Sequence, residues 1–333
     1  MKYAVIDNNH SFSNLVNVGD HIQSLAGQQF LPQVDFYVER DRLNDPAYEE
    51  AKIILNGWHT YHPENWPPNP KLDPKIISFH INPGLAPAFF SNPKTVAYLK
   101  EKGPIGCRDY STLRLMEEHG IDAYYSFCLT TTLDEKYKTE EKTDKVYLAD
   151  VFYDYDLRTV YKANPKKLIF HTANGKIFKR LNLPKKKRLL QEHVNSDVLQ
   201  NAEVIDHIIS SKQTSQEKFA IGEEILKKYA SAKLVITSRI HAALPCLALG
   251  TPVLFLTDGL EKESIHTSRL KGTIDHLNIL STRSKKEIDG IFDNDMNVLH
   301  PEDIDWNNPP QNPNTHTALS EKLKETCKAF IKG

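Results

Sequence analysis

Three short segments combine residue types that can grip an anion and move a proton. The densest is Leu234–Leu256, LVITSRIHAALPCLALGTPVLFL. There an apolar run ends at Thr237, and Ser238, Arg239, Ile240 and His241 lead into a second apolar run that stops at Gly250. Arg239 offers a planar fork of donors that fits a carboxylate or phosphate and keeps its charge. His241, two residues on, can give or take a proton near neutral pH. The runs read as a buried strand and a helix. Ligands of open α/β sheets bind at the carboxyl ends of strands, against helix N-termini. The same residues also fit a plainer arrangement, with Arg239 as a helix-entry ion pair and His241 as a hydrogen-bonded core histidine.

In Ile105–Gly120, IGCRDYSTLRLMEEHG, a strand again ends in charge, at Arg108-Asp109, ahead of a helix that stops at Gly120. Asp109 or Ser111 can cap that helix and Arg108 can pair with nearby acids. Alternatively Arg108 and Asp109 face a ligand cleft. In Asn14–Gln28, NLVNVGDHIQSLAGQ, a glycine-containing turn puts Asp20 at a helix N-cap position. Gly19 lets the backbone come close to a ligand, and Asn17 and Asp20 can bind sugar hydroxyls. Capping alone also accounts for Asp20.

The elements that must hold these residues alternate along the chain. Strands are predicted at Lys2–Ile6, Val34–Val38, Lys52–Leu55, Lys75–Phe79, Pro104–Cys107 and Ala123–Phe127. Helices are predicted at His21–Phe30, Thr95–Glu101 and Ser111–His119. The charged stretch Leu133–Lys145 reads as a linker. A second series follows, with strands at Val146–Ala149, Lys167–Phe170, Glu203–Ile205, Lys233–Thr237 and Pro252–Leu256. Its helices are predicted at Lys185–His193, Gln216–Tyr229, Ala242–Leu249 and Lys285–Phe292. Proline-rich Pro301–Pro313 is expected to be neither helix nor central strand. A last amphipathic helix, Ala318–Ile331, is expected to pack back on the first lobe. Apolar strands alternating with helices imply parallel sheets covered on both faces. The expected fold is α/β, with two Rossmann-like lobes about a cleft. Residues 1–135 form the first, 145–315 the second, and 316–333 the closing helix.

Composition narrows the function classes. The 333 residues carry 42 Lys and Arg against 43 Asp and Glu, so general nucleic-acid binding is not expected. Cysteines 107, 128, 246 and 327 form no close pair, which disfavours structural zinc and a disulfide framework. The start MKYAVIDNNH has no signal-length apolar core, and the longest uncharged apolar stretch, Ala242–Leu256, is broken by two prolines and a glycine. The expected location is the cytoplasm, with peripheral contact at the inner membrane face as the option beside it. GxGxxG after the first strand, GxxxxGK[ST], GxSxG and HExxH are all missing, which removes the common redox, P-loop, hydrolase and zincin readings. The WHTYH run at 58–62 lacks acidic partners at metal-site spacing, so no metal is expected. The aromatic run Tyr147, Phe152, Tyr153 and Tyr155 fits a sheet core and rim, or a surface that stacks on sugar. Between residues 162 and 188 ten basic residues cluster. They form either a solvated face or a patch for a phosphate-bearing acceptor or an anionic membrane surface.

Taken together, Asn17-Val18-Gly19-Asp20, Arg108-Asp109 with its helix ending in EEHGI, and Leu234–Val253 with Thr237-Ser238-Arg239-Ile240-His241 resemble the polysaccharide pyruvyl transferase family. The resemblance implies a GT-B-like fold. It implies transfer of pyruvate from phosphoenolpyruvate to a sugar of a cell-surface glycan as a cyclic ketal, with no cofactor. It also implies that Arg239, beside Ser238, holds the donor and that His241 is the general acid or base. A carboxylate and a phosphate ask for further cations, and Arg108, Arg269 and Lys271 are the candidates. Asp20 is a second catalytic candidate, and Asn17, Gly19 and Asp109 are placed with a saccharide acceptor, which can be lipid-linked. Two alternatives stay open on the same fold: a glycosyltransferase using a nucleotide sugar, and an inactive glycan-binding protein.

Overall fold

The computed structural model describes residues 1–9, 15–152, 183–258, 260 and 268–333. The strands are β1 (Lys2–Asp7), β2 (Leu15–Asn17), β3 (Phe36–Glu39), β4 (Ala51–Trp58), β5 (Leu72–His80), β6 (Ile105–Cys107) and β7 (Ala123–Tyr125). They continue with β8 (Val146–Ala149), β9 (Glu203–Ile205), β10 (Ile208–Ser210), β11 (Leu234–Thr237), β12 (Val253–Phe255), β13 (Asn278–Leu280) and β14 (Asn297–Leu299). The helices are α1 (Val18–Gln28), α2 (Ala86–Phe90), α3 (Pro93–Glu101), α4 (Tyr110–Glu118), α5 (Asp134–Tyr137), α6 (Leu183–His193), α7 (Ser196–Asn201), α8 (Ser215–Ser231), α9 (Ile240–Leu249), α10 (Lys285–Phe292) and α11 (Thr317–Lys332).

Two parallel sheets result, in the orders β3-β1-β4-β5-β6-β7 and β9-β8-β11-β12-β13-β14. Counted within its own lobe, each sheet places its second strand outside the first and its third on the other side. Both therefore switch direction between their first and third strands, β1/β4 and β8/β11. That junction is where doubly wound sheets bind ligands.

Alternation along the strands explains the layers. Val235 and Phe255 face one buried cluster, and their neighbours Leu234, Ile236 and Leu254 face another. The first cluster is shared by both lobes: Val18, Ile22 and Leu25 of α1 pack with Leu226 and Tyr229 of α8 and Leu244 of α9. A separate cluster, including Ile6, Ile53, Phe79 and Leu99, covers the far side of the first sheet. An antiparallel ribbon of β2 and β10 and a bond from the Val18 N–H to the His207 carbonyl (2.7 Å) tie the lobes further.

The closing helix does pack back on the first lobe. Ser320 Oγ donates to Thr131 Oγ1 at 2.9 Å, Lys324 Nζ meets Asp134 at 2.7 Å, and the Phe330 carbonyl accepts from Lys52 at 2.9 Å. Several elements depart from expectation. The linker contains α5, whose Tyr137 is buried. A 3-10 turn at Pro301–Asp303 starts on its proline, where the missing N–H costs nothing. β13 and β14 are three-residue strands whose polar first residues hide them; parallel neighbours hold them in place. The strand expected at 167–170 and most of the basic stretch lie outside the described residues. Within α6, Arg188 pairs with Glu192 at 3.0 Å. Among the described residues no helix is long and apolar enough to cross a membrane.

Candidate active site

The β11–α9 turn is built across the switch point of the second sheet. Thr237 pairs in register with Ala149, so Ser238 and Arg239 emerge beside the residues that follow β8. Ser238 Oγ accepts from the Phe152 N–H at 3.0 Å, and Arg239 Nε donates to Asp150 Oδ2 at 2.7 Å. The Arg239 side chain is 19% exposed and that of Asp150 9%. His207 Nδ1 faces the same carboxylate at 3.9 Å, and its Nε2 meets the Tyr229 hydroxyl at 2.7 Å. Burial, then Arg239, pulls His207 down to about 3. Arg239 occupies the N-cap position of α9 but makes no capping bond with its side chain.

His241 lies in the first turn of that helix, at φ −81° and ψ 15°. Pro245, four residues on, has no N–H to bind the His241 carbonyl, and its ring crowds that turn. The proline thus bends the helix at the histidine. Against this bend rests the start of α1. A Cβ on Gly19 would lie 3.2 Å from His241 Cβ and 3.5 Å from His207 Nδ1, so the close approach that Gly19 permits is to these two histidines. Asn17, not Asp20, caps α1, accepting from the Gly19 N–H at 3.0 Å. Asp20 is left for the site. Its Oδ1 accepts from Gln23 Nε2 at 3.0 Å and faces His241 Nδ1 at 3.9 Å.

From the first lobe comes Arg108. The bond from its N–H to the Phe79 carbonyl (2.8 Å) fixes the β6–α4 turn. Its neighbour Asp109 is the cap of α4, with Oδ1 accepting from the Thr112 N–H and Oγ1, both at 2.9 Å, and Oδ2 meeting His80 Nδ1 at 2.6 Å. Burial raises the Asp109 carboxyl, but His80, Arg108 and the Thr112 N–H outweigh it and hold the group below its ordinary value. Burial takes His80 to about 4. The Arg108 side chain is 2% exposed. Its Nη1 donates to Gln23 Oε1 at 3.1 Å and lies 3.4 Å from His241 Nε2. The Nε is 3.8 Å from Asp109 Oδ2, beyond hydrogen-bond reach, and neither Nε nor Nη2 has a hydrogen-bond partner among the described residues.

Asp20, Gln23, Arg108 and His241 thus form one closed polar ring across the lobes. His241 is pulled well below its ordinary value by burial first, then by Arg108, Arg269, His207 and Arg239. Arg269 brings a further buried nitrogen, Nε, without a partner among the described residues. Lys271 pairs instead with Asp293 at 3.8 Å and is 43% exposed. Gln23, Asp150, His80 and His207 were not foreseen. Gln23 had a signal, three residues after Asp20 on one helix face. Asp150 had one too, as the acid directly after the first strand of the second series. Among the described residues no group of three or more His, Cys, Asp or Glu is arranged to hold a metal ion.

A model of the polysaccharide pyruvyl transferase family matches residues 17–258. The chain belongs to that family. The polar ring falls within the matched span, and Arg269 and α11 lie beyond it. No curated protein matches the chain. Membership makes this pyruvyl transferase family member a transferase whose family acts on a glycan, with a small-molecule donor and a saccharide acceptor.

Proposed function

We propose that this chain takes pyruvate from phosphoenolpyruvate and places it on a sugar of a cell-surface glycan as a cyclic ketal. The observation that carries the reading is the Arg108 guanidinium, buried beside His241 with two nitrogens that find no acceptor among the described residues. Buried donors left open are costly, and a ligand with carboxylate and phosphate oxygens supplies what they lack. Arg269 adds a second open donor. Arg239, held by Asp150, adds to the positive field on His241.

Without donor, His241 is neutral. Arg108 Nη1 is a donor, so the facing Nε2 accepts, and the ring proton belongs on Nδ1, toward Asp20. Donor anions among the arginines offset the field and raise the proton affinity of His241. The imidazolium then gives its proton to the methylene carbon, leaving an oxocarbenium centre at C2. One sugar hydroxyl attacks C2 and returns its proton to His241. The C2–O bond to phosphate breaks, and the second hydroxyl closes the ketal as its proton leaves with phosphate. Asp20 orients the imidazole in this scheme.

The test is a thermal-shift panel with phosphoenolpyruvate, UDP, GDP and CMP. A donor at about 100 times its Kd stabilises by roughly 2.7 kcal/mol, a readable rise in melting temperature. Phosphoenolpyruvate alone should give it, with proton uptake seen by calorimetry in buffers of different ionisation enthalpy and reduced in His241→Asn. Stabilisation by a nucleotide alone would replace this donor with a nucleotide sugar.

A further inference from the structure

The two turns that supply Arg108 and Arg269 also touch each other. On the first lobe, Tyr110 follows Arg108-Asp109 as the first residue of α4, and Tyr125 ends β7. Their ring centroids are 4.5 Å apart, with the planes tilted by 32°. On the second lobe, Gly272 comes three residues after Arg269. Its carbonyl accepts from the Tyr125 hydroxyl, which burial keeps protonated. Gly272 has φ +83°, and a Cβ there would lie 2.9 Å from Tyr110 Cδ2 and Cε2 and 3.3 Å from Tyr125 Cε2. Any side chain would displace the ring and strain the backbone.

The turn itself is stiff. The Thr273 N–H donates to the Leu270 carbonyl at 2.8 Å, and Leu270 and Ile274 are buried in the shared core. Phe127 extends the contact, its ring centroid 4.6 Å from that of His276. Moving Gly272 therefore moves Arg269. Each lobe thus contributes one turn that carries both a guanidinium and one half of a fitted contact.

We propose that Tyr110, Tyr125 and Gly272 are positioning residues that set Arg269 of one lobe against Arg108 of the other, so that the anion site is complete only when their contact is closed. The proposal rests on the reading above only for the identity of the anion.

The experiment is a double-mutant cycle on the full chain, measuring Kd by calorimetry for phosphoenolpyruvate and for inorganic phosphate. Gly272→Ala and Arg269→Ala should each weaken binding about tenfold, and the double variant should be no weaker than Arg269→Ala alone. Tyr125→Phe, which keeps the ring, should cost only about threefold. Tyr110→Ala enters the same cycle if Gly272→Ala does not fold. Additive penalties, or unchanged affinity in folded variants, overturn the proposal. Binding of phosphate without phosphoenolpyruvate removes the donor assignment but leaves the cycle readable on phosphate. A parent that binds neither overturns both.

Discussion

The turn at Arg108 and the turn at Arg239 look alike along the chain: an apolar strand, an arginine, a titratable neighbour and a helix. They are used differently. Arg239 meets Asp150 across the switch point of its own sheet, so its guanidinium is anchored by a carboxylate of the same lobe. Arg108 has an acid directly beside it, but Asp109 faces Thr112 and His80, and Arg108 Nε has no hydrogen bond among the described residues. The better-buried arginine is thus the one with donors to spare. What an arginine can offer a ligand depends on which acceptors the protein has already aimed at it, not on the turn that carries it.

Four substitutions or titrations would break or sharpen this contrast. The largest effect belongs to the residue between the two arginines: His241→Asn should lower turnover by about 10²–10⁴-fold, while donor affinity falls far less, by the share that proton uptake on His241 contributes. Steady-state kinetics with phosphate release measure it, and unchanged turnover removes the acid–base role. Next, Arg108→Ala should weaken phosphoenolpyruvate binding by about 10²–10³-fold, read by calorimetry. If Arg108→Ala binds as the parent does, the contrast collapses.

Acid should act on the buried histidines around both turns. His80 and His207 have folded-state values of about 4 and about 3, and His59 is also near 3. Unfolded histidine titrates near ~6.5, so below that the unfolded chain binds protons that the folded chain refuses. Stability is therefore full above that pH and is lost as pH falls toward the folded values, at up to ~1.4 kcal/mol per pH unit for each histidine. Melting temperatures between pH 7 and 5 should fall steeply, and a flat profile contradicts the burial. The smallest effect is expected at Arg239→Ala. Breaking its part-exposed pair should cost about 1–3 kcal/mol of stability, with less loss of donor affinity than Arg108→Ala. A larger affinity loss than at Arg108 would restore Arg239 as the main donor grip.

Much of this was legible in the chain. The strands at Lys2, Lys52, Lys75 and Leu234 announce themselves by apolar runs, and α8 and α10 by Thr214/Glu217 and Ser284/Glu287 capping boxes. Arg108, Asp20 and His241 were visible as candidates because each stands where a strand or turn gives way to a helix. Gln23 was not among them: its spacing from Asp20 puts the two on one helix face, but its partner shows only when Arg108 is brought to it. Nor was the tyrosine–glycine contact, because 147 residues separate Tyr125 from Gly272.

The sequence by itself determined the two α/β halves, the capping-box starts of α8 and α10, and the bend that Pro245 imposes at His241. These follow from periodicity, capping and a missing N–H, which act within a few residues. The shared core, the choice of Asn17 over Asp20 as cap, and the partner of each arginine were decided only by the tertiary structure. Hydrogen bonds and burial depend on which distant groups arrive within about 3 Å of one another, and no local pattern encodes that arrival.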